Sequence, residues 1–119
     1  MTHWKVYEYA QCSTCKNALS YLDRKKLKYS KVPIVEQPPT EAELKKMLVY
    51  LGGNLKKLFN TSGIQYRELG MSEKLKTISE AEAIRLLSKN GKLVKRPFLL
   101  GELTGTVGFN EAEWDQLLM

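Results

Sequence analysis

Apolar positions recur along this chain with two periods. Cys15, Ala18, Leu19 and Leu22 fall at helical spacing, as do Leu44, Met47, Leu48 and Leu51, then Ala83, Ile84 and Leu87, and last Trp114, Leu117 and Leu118. Each stripe predicts a helix with one face turned to a core. Three of the four start from a short polar residue placed three positions before a glutamate: Thr40 with Glu43, Ser79 with Glu82, and Asn110 with Glu113. In that arrangement each side chain can satisfy a backbone N–H left open at a helix start. Gly52 and Asn90–Gly91 supply the stops after the second and third stripes. Lys5 to Glu8 and Tyr29 to Val35 carry β-branched and aromatic residues and predict strands. Pro97 to Leu100 and Thr104 to Val107 flank a tight turn near Gly101–Gly105 and predict a hairpin.

The resulting order is strand, helix, strand, a helical block from about residue 40 to 90, then strand, strand, helix. A strand–helix–strand start needs a crossover and favours a parallel pair. The closing hairpin can add antiparallel strands to the same sheet. The expected fold class is therefore α/β: a mixed sheet with helices packed on it, and a helical insertion between the two halves. At 119 residues the chain falls below the roughly 150 of an average domain, so residues 1–119 are read as one domain.

Composition adds exclusions. Apolar residues make up 43% and charged residues 27%, a globular balance rather than a disordered one. The longest apolar run, Met47 to Leu51, is far below the roughly 18 residues of a membrane span. The start, Met-Thr-His-Trp-Lys, lacks the charged lead and apolar core of a secretion signal, so a cytoplasmic protein without membrane attachment is expected. The net charge is +6, from 19 basic and 13 acidic residues. The lysines are spread singly and in pairs without interleaved aromatics, which describes a solvated surface better than a groove for nucleic acid.

The candidate chemistry lies in residues 9 to 16, Tyr-Ala-Gln-Cys-Ser-Thr-Cys-Lys, which hold both cysteines of the chain. A zinc site needs about four ligands, and two Cys with His3 fall short unless another molecule completes it. Haem attachment would need a histidine where Lys16 stands. Two buried structural thiols remain an open reading. The competing reading is a reactive pair. A helix start carries unpartnered N–H groups and a partial positive charge, which would stabilise a thiolate at Cys12. Ser13 and Thr14 offer hydroxyl donors and Lys16 offers positive field. Cys15 returns to the same face one turn later, within reach of an adduct on Cys12. Cys12 is then the nucleophile and Cys15 the resolving thiol.

A second constellation is Val94-Lys95-Arg96-Pro97-Phe98-Leu99-Leu100. Proline is tolerated at a strand start, and Arg96 beside it could present a guanidinium to an oxyanion or to the Cys12 thiolate. Tyr7, Tyr9 and Tyr66 are expected in the core or at its rim, and Trp114 is expected to anchor the last helix. His3 receives no role.

Together these segments resemble the ArsC/Spx family of thioredoxin-like proteins. The likeness runs through Cys12-Ser13-Thr14-Cys15-Lys16, Pro38–Pro39, Phe59-Asn60-Thr61-Ser62-Gly63, Tyr66-Arg67-Glu68-Leu69, Lys95-Arg96-Pro97-Phe98-Leu99 and Val107-Gly108-Phe109-Asn110-Glu111. The resemblance implies a thioredoxin-like fold with a helical insertion, and a cis bond before Pro97 facing the cysteine loop. Cys12 matches the cysteine that the family's arsenate reductases arsenylate, with release by glutathione and glutaredoxin. Of the three arginines that hold the oxyanion there, Arg96 matches one. Asn60 or its neighbours stand at another, and Thr106 to Asn110 hold none. Arg67 is present in related members and is expected to line the same site. Cys15 matches instead the Spx-like regulators, whose cysteine pair is a redox switch and which bind RNA polymerase through its α-subunit. Those regulators carry a longer segment after the last helix, so the chain is more similar to a short thiol-reductase branch. That likeness implies glutathione or a thioredoxin- or glutaredoxin-like protein as electron donor; no bound cofactor, no direct nucleic-acid contact and a monomer are expected.

Overall fold

The computed structural model describes residues 3–118. Met1, Thr2 and Met119 lie outside the described residues, and with them the first two positions of the stretch read against a secretion signal. Strand β1 (Trp4–Glu8), helix α1 (Ser13–Arg24) and strand β2 (Tyr29–Pro33) form the opening unit. The insertion carries α2 (Glu41–Tyr50), α3 (Ile64–Glu68), α4 (Met71–Lys74) and α5 (Glu80–Ser88), with 3-10 turns at Leu55–Leu58 and Gly91–Leu93. Strands β3 (Phe98–Leu100) and β4 (Gly105–Val107) and helix α6 (Glu111–Leu118) close the chain. The four strands lie in the order β2-β1-β3-β4. β1 pairs parallel with β2 and antiparallel with β3, and β3 pairs antiparallel with β4. This is the expected mixed sheet of a thioredoxin-like fold, with helices inserted between its halves.

All three polar starts form caps. Thr40 and Glu43 make the full reciprocal box. Ser79 accepts from the Glu82 N–H, and Asn110 Oδ1 accepts from the Glu113 N–H at 3.1 Å. β2 stops at Pro33, earlier than the Val35 expected from its composition, because the chain turns there and the Gln37 N–H bonds the Pro33 carbonyl at 2.9 Å.

The period of two along the strands divides the core. Trp4 and Val6 of β1 and Leu99 of β3 join Ala18, Tyr21, Leu22 and Trp114, between the sheet and helices α1 and α6. Tyr7 of β1 and Phe98 and Leu100 of β3 join Leu44, Met47, Ile84 and Leu87 under the insertion. Trp114 anchors α6 as expected: its ring sits edge-on to Phe109 and Tyr21, and its Nε1 donates to the Gly108 carbonyl. Across the other face, the Tyr7 hydroxyl donates to Glu43 at 2.5 Å, and Lys5 Nζ reaches the same carboxylate at 2.8 Å. Burial first, then that carboxylate, pushes the Tyr7 phenol up to about 12. Gly91 is buried where the insertion returns to the sheet. A Cβ there would stand 1.8 Å from the Ile34 carbonyl oxygen, so the close approach requires glycine.

Candidate active site

The loop between β1 and α1 is short and tied to itself. The Cys12 N–H donates to the Tyr9 carbonyl at 3.0 Å, and the Cys12 carbonyl accepts from the Lys16 N–H at 3.1 Å, the first bond of α1. Cys12 is therefore the N-cap residue, in extended conformation, and its side chain makes no directed cap hydrogen bond. It is partly exposed. One turn on, Cys15 has no exposed surface. Ser13, Thr14 and Lys16 are exposed on the first turn of α1.

The two thiols differ sharply. Burial alone would raise Cys12, and it is the largest single influence. The Cys15 backbone N–H, the Cys15 thiol and the Arg96 guanidinium outweigh it and hold the Cys12 thiol below its ordinary value. Cys15 is pushed up to about 12, first by burial and then by the neighbouring Cys12, against smaller opposing effects from the Tyr9 backbone and Arg96. A single proton on the pair therefore resides on Cys15. The partly exposed sulfur is the one that ionises more readily, and the buried sulfur is its hydrogen-bond neighbour.

The register between β1 and β3 brings the second constellation here. Tyr7 pairs with Phe98, so the antiparallel continuation sets Arg96 level with Tyr9. The Arg96–Pro97 bond is cis, as the resemblance implies, and Pro97 is buried. The Arg96 guanidinium lies over the Tyr9 ring, 4.7 Å from its centroid. Its Nη1 reaches the Lys92 carbonyl only at 3.5 Å, the limit of a hydrogen bond. Beside this pair opens a hollow of about 530 Å³ whose wall includes Asn60, Ser62, Gln65, Glu68 and Lys92.

The structure thus gathers Cys12, Cys15, Arg96 and Pro97 at one end of the sheet. Arg67 is exposed on α3 and is not among the residues that line this hollow, where Gln65 and Glu68 of the same helix stand instead. Of the three tyrosines, Tyr7 and Tyr66 are buried in the core, and Tyr9 alone joins the site. Sequence reasoning missed the partnership of Tyr9 with Arg96 and the roles of Gln65 and Lys92 in the wall. The hint for Tyr9 was its place between the strand end and Cys12. His3, given no role, bonds Ser30 Oγ at 2.7 Å on the surface. Among the described residues, no three His, Cys, Asp or Glu side chains gather as a metal site would need, and no helix is long and apolar enough to cross a membrane.

A four-stranded mixed sheet in the order β2-β1-β3-β4, with a cysteine pair at the start of the first helix, defines a thioredoxin-like protein. Within that class the chain belongs to the ArsC family, whose model matches residues 7–117. It is 42% identical over 110 residues to the uncharacterized protein YusI of Bacillus subtilis, covering 92% of this chain and 93% of that one. It is 28% identical over 102 residues to the global transcriptional regulator Spx of Streptococcus mutans, covering 86% and 73%. The crystal structure of an ArsC family related protein from Bacteroides fragilis superposes with a TM-score of 0.88 at 44% identity, covering 98% of this chain and 96% of that one.

Proposed function

We propose that this protein is a cytoplasmic thiol–disulfide oxidoreductase with Cys12 as nucleophile and Cys15 as resolving thiol. The observation that carries the reading is the contrast within the pair: an accessible sulfur held below its ordinary pKa beside a buried one pushed up to about 12. The Cys12 thiolate attacks a substrate disulfide, forms a mixed disulfide and expels one substrate thiolate. Cys15 then attacks Cys12 Sγ, loses its proton to solvent or to the departing thiolate, and releases the second substrate thiol. Two electrons pass to the substrate and a Cys12–Cys15 disulfide remains. Glutathione or a thioredoxin- or glutaredoxin-like dithiol restores the reduced pair. Formation of the mixed disulfide also removes the negative neighbour that helps hold the Cys15 proton, so attack at the first thiol prepares the second. Cys15→Ser should trap a stable mixed disulfide with a model substrate, and Cys12→Ser should trap none. Equal trapping by both variants would end this assignment.

A second reading is favoured by the likeness to Spx: the same pair serving as a redox switch in a regulator that binds RNA polymerase. Binding of the full chain to the C-terminal domain of the polymerase α-subunit, measured in the reduced and oxidised states, tests it, and no binding in either state removes it. Arsenate reduction is the weakest reading. Arg96 matches one of the three arginines that hold the oxyanion in the family's arsenate reductases and is the one arginine lining the hollow, so two charge-assisted contacts of roughly 1.5–3 kcal/mol each are missing for a tetrahedral dianion. No arsenite is expected from arsenate with glutathione and glutaredoxin.

A further inference from the structure

We infer that Tyr9 is a positioning residue of the dithiol site: its ring holds the Arg96 guanidinium beside Cys12, and its backbone clasps the loop that carries Cys12. The inference rests on the dithiol reading and adds the residue that sets its reactivity. Among the described residues Arg96 has no carboxylate within ion-pair distance, and its hydrogen bond to the Lys92 carbonyl is long. The Tyr9 face, 4.7 Å from the guanidinium, therefore supports it where no carboxylate does. A competing partner is near, because Glu68 lines the same hollow as Arg96 and forms no ion pair among the described residues. Without the ring, the guanidinium is free to swing toward that carboxylate and away from the sulfur. The ring is itself fixed: the Tyr9 hydroxyl donates to Gln11 Oε1 at 3.0 Å. The Tyr9 carbonyl takes the Cys12 N–H, and the Tyr9 backbone also acts on the Cys15 sulfur. One residue thus touches the surroundings of both thiols.

The test is the pH profile of iodoacetamide alkylation at Cys12 in the full chain, for wild type, Tyr9→Leu, Tyr9→Met, Tyr9→Phe, Arg96→Gln and Tyr9→Leu/Arg96→Gln. Tyr9→Leu should move the Cys12 profile upward by about 0.5–1 pH unit, a roughly threefold to tenfold loss of thiolate near neutral pH. Tyr9→Phe keeps the ring and should recover most of that loss. On the Arg96→Gln background, Tyr9→Leu should add almost nothing, because the ring acts through the guanidinium. Tyr9→Met lacks a π face but fills similar space, and stands in if the leucine variant does not fold. A wild-type profile in Tyr9→Leu or Tyr9→Met, or a full shift that persists in the double variant, overturns the inference. An unshifted Cys12 in the wild type would instead sink the dithiol reading itself and this inference with it.

Discussion

Replacing Glu43 by alanine removes three partners from one carboxylate. Glu43 accepts from the Thr40 N–H at 3.0 Å, from the Tyr7 hydroxyl at 2.5 Å and from Lys5 Nζ at 2.8 Å. The cap contact is worth about 1 kcal/mol. A hydrogen bond from a buried phenol to a carboxylate is worth about 1.5–3 kcal/mol. The Lys5 side chain is 36% exposed, so its ion pair takes the surface value of about 0.2–1 kcal/mol. The three share one group and do not simply add, so a total near 3 kcal/mol is expected for Glu43→Ala. In thermal terms that is a fall in Tm of about 10–15 °C for a domain of this size. Glu43→Gln keeps an acceptor for Tyr7 and Thr40 and should lose about 1 kcal/mol. The sign with pH follows from the carboxyl itself. Burial raises it, but Lys5, Tyr7 and the Thr40 N–H outweigh burial and hold it below its ordinary 4.5. Its contribution is therefore fully present above that ordinary value and is lost as pH falls through the lower folded one. Urea unfolding of wild type and Glu43→Ala, from pH 7 down to pH 3, measures both. A difference under 0.5 kcal/mol at pH 7, or one that widens on acidification, would refute the account.

Gly91→Ala should destabilise the fold by about 3 kcal/mol, since its Cβ would press on the Ile34 carbonyl; urea unfolding reads this directly. Trp114→Ala should cost about 3–5 kcal/mol and free α6 first, which hydrogen exchange of residues 111–118 would show as lost protection. In the reduced native protein, iodoacetamide should modify Cys12 well before Cys15, and unfolding should abolish the difference; peptide mapping at successive times decides it.

Local features were legible in the sequence. Thr40, Ser79 and Asn110 cap their helices because a cap involves only the next three residues. The reach of Cys15 toward Cys12 was legible for the same reason, as one turn of helix separates them. The Tyr9–Arg96 stack was not, because 87 positions separate the two and only the antiparallel register of β1 with β3 brings them level. The Tyr7–Glu43 bond likewise spans the sheet and the insertion. Periodicity could not place Arg67, because α3 holds five residues, too few to say which side faces the cysteines. The first apolar stripe omits Tyr21, whose ring is buried and whose hydroxyl reaches Asp115 of α6.

Strand β2 forms one border of the sheet, with a ribbon of backbone donors and acceptors facing outward. Such a border is where a second molecule can extend a sheet, as happens in fibrils. Ser30 and Lys31 are exposed on this border, Lys28 just precedes it, and Pro33 ends it without an N–H to offer. Two copies approaching along this rim would meet ammonium against ammonium and then a missing donor. The opposite border, β4, is three residues long and gives a stacking neighbour little to grip. Both margins therefore discourage sheet growth between molecules.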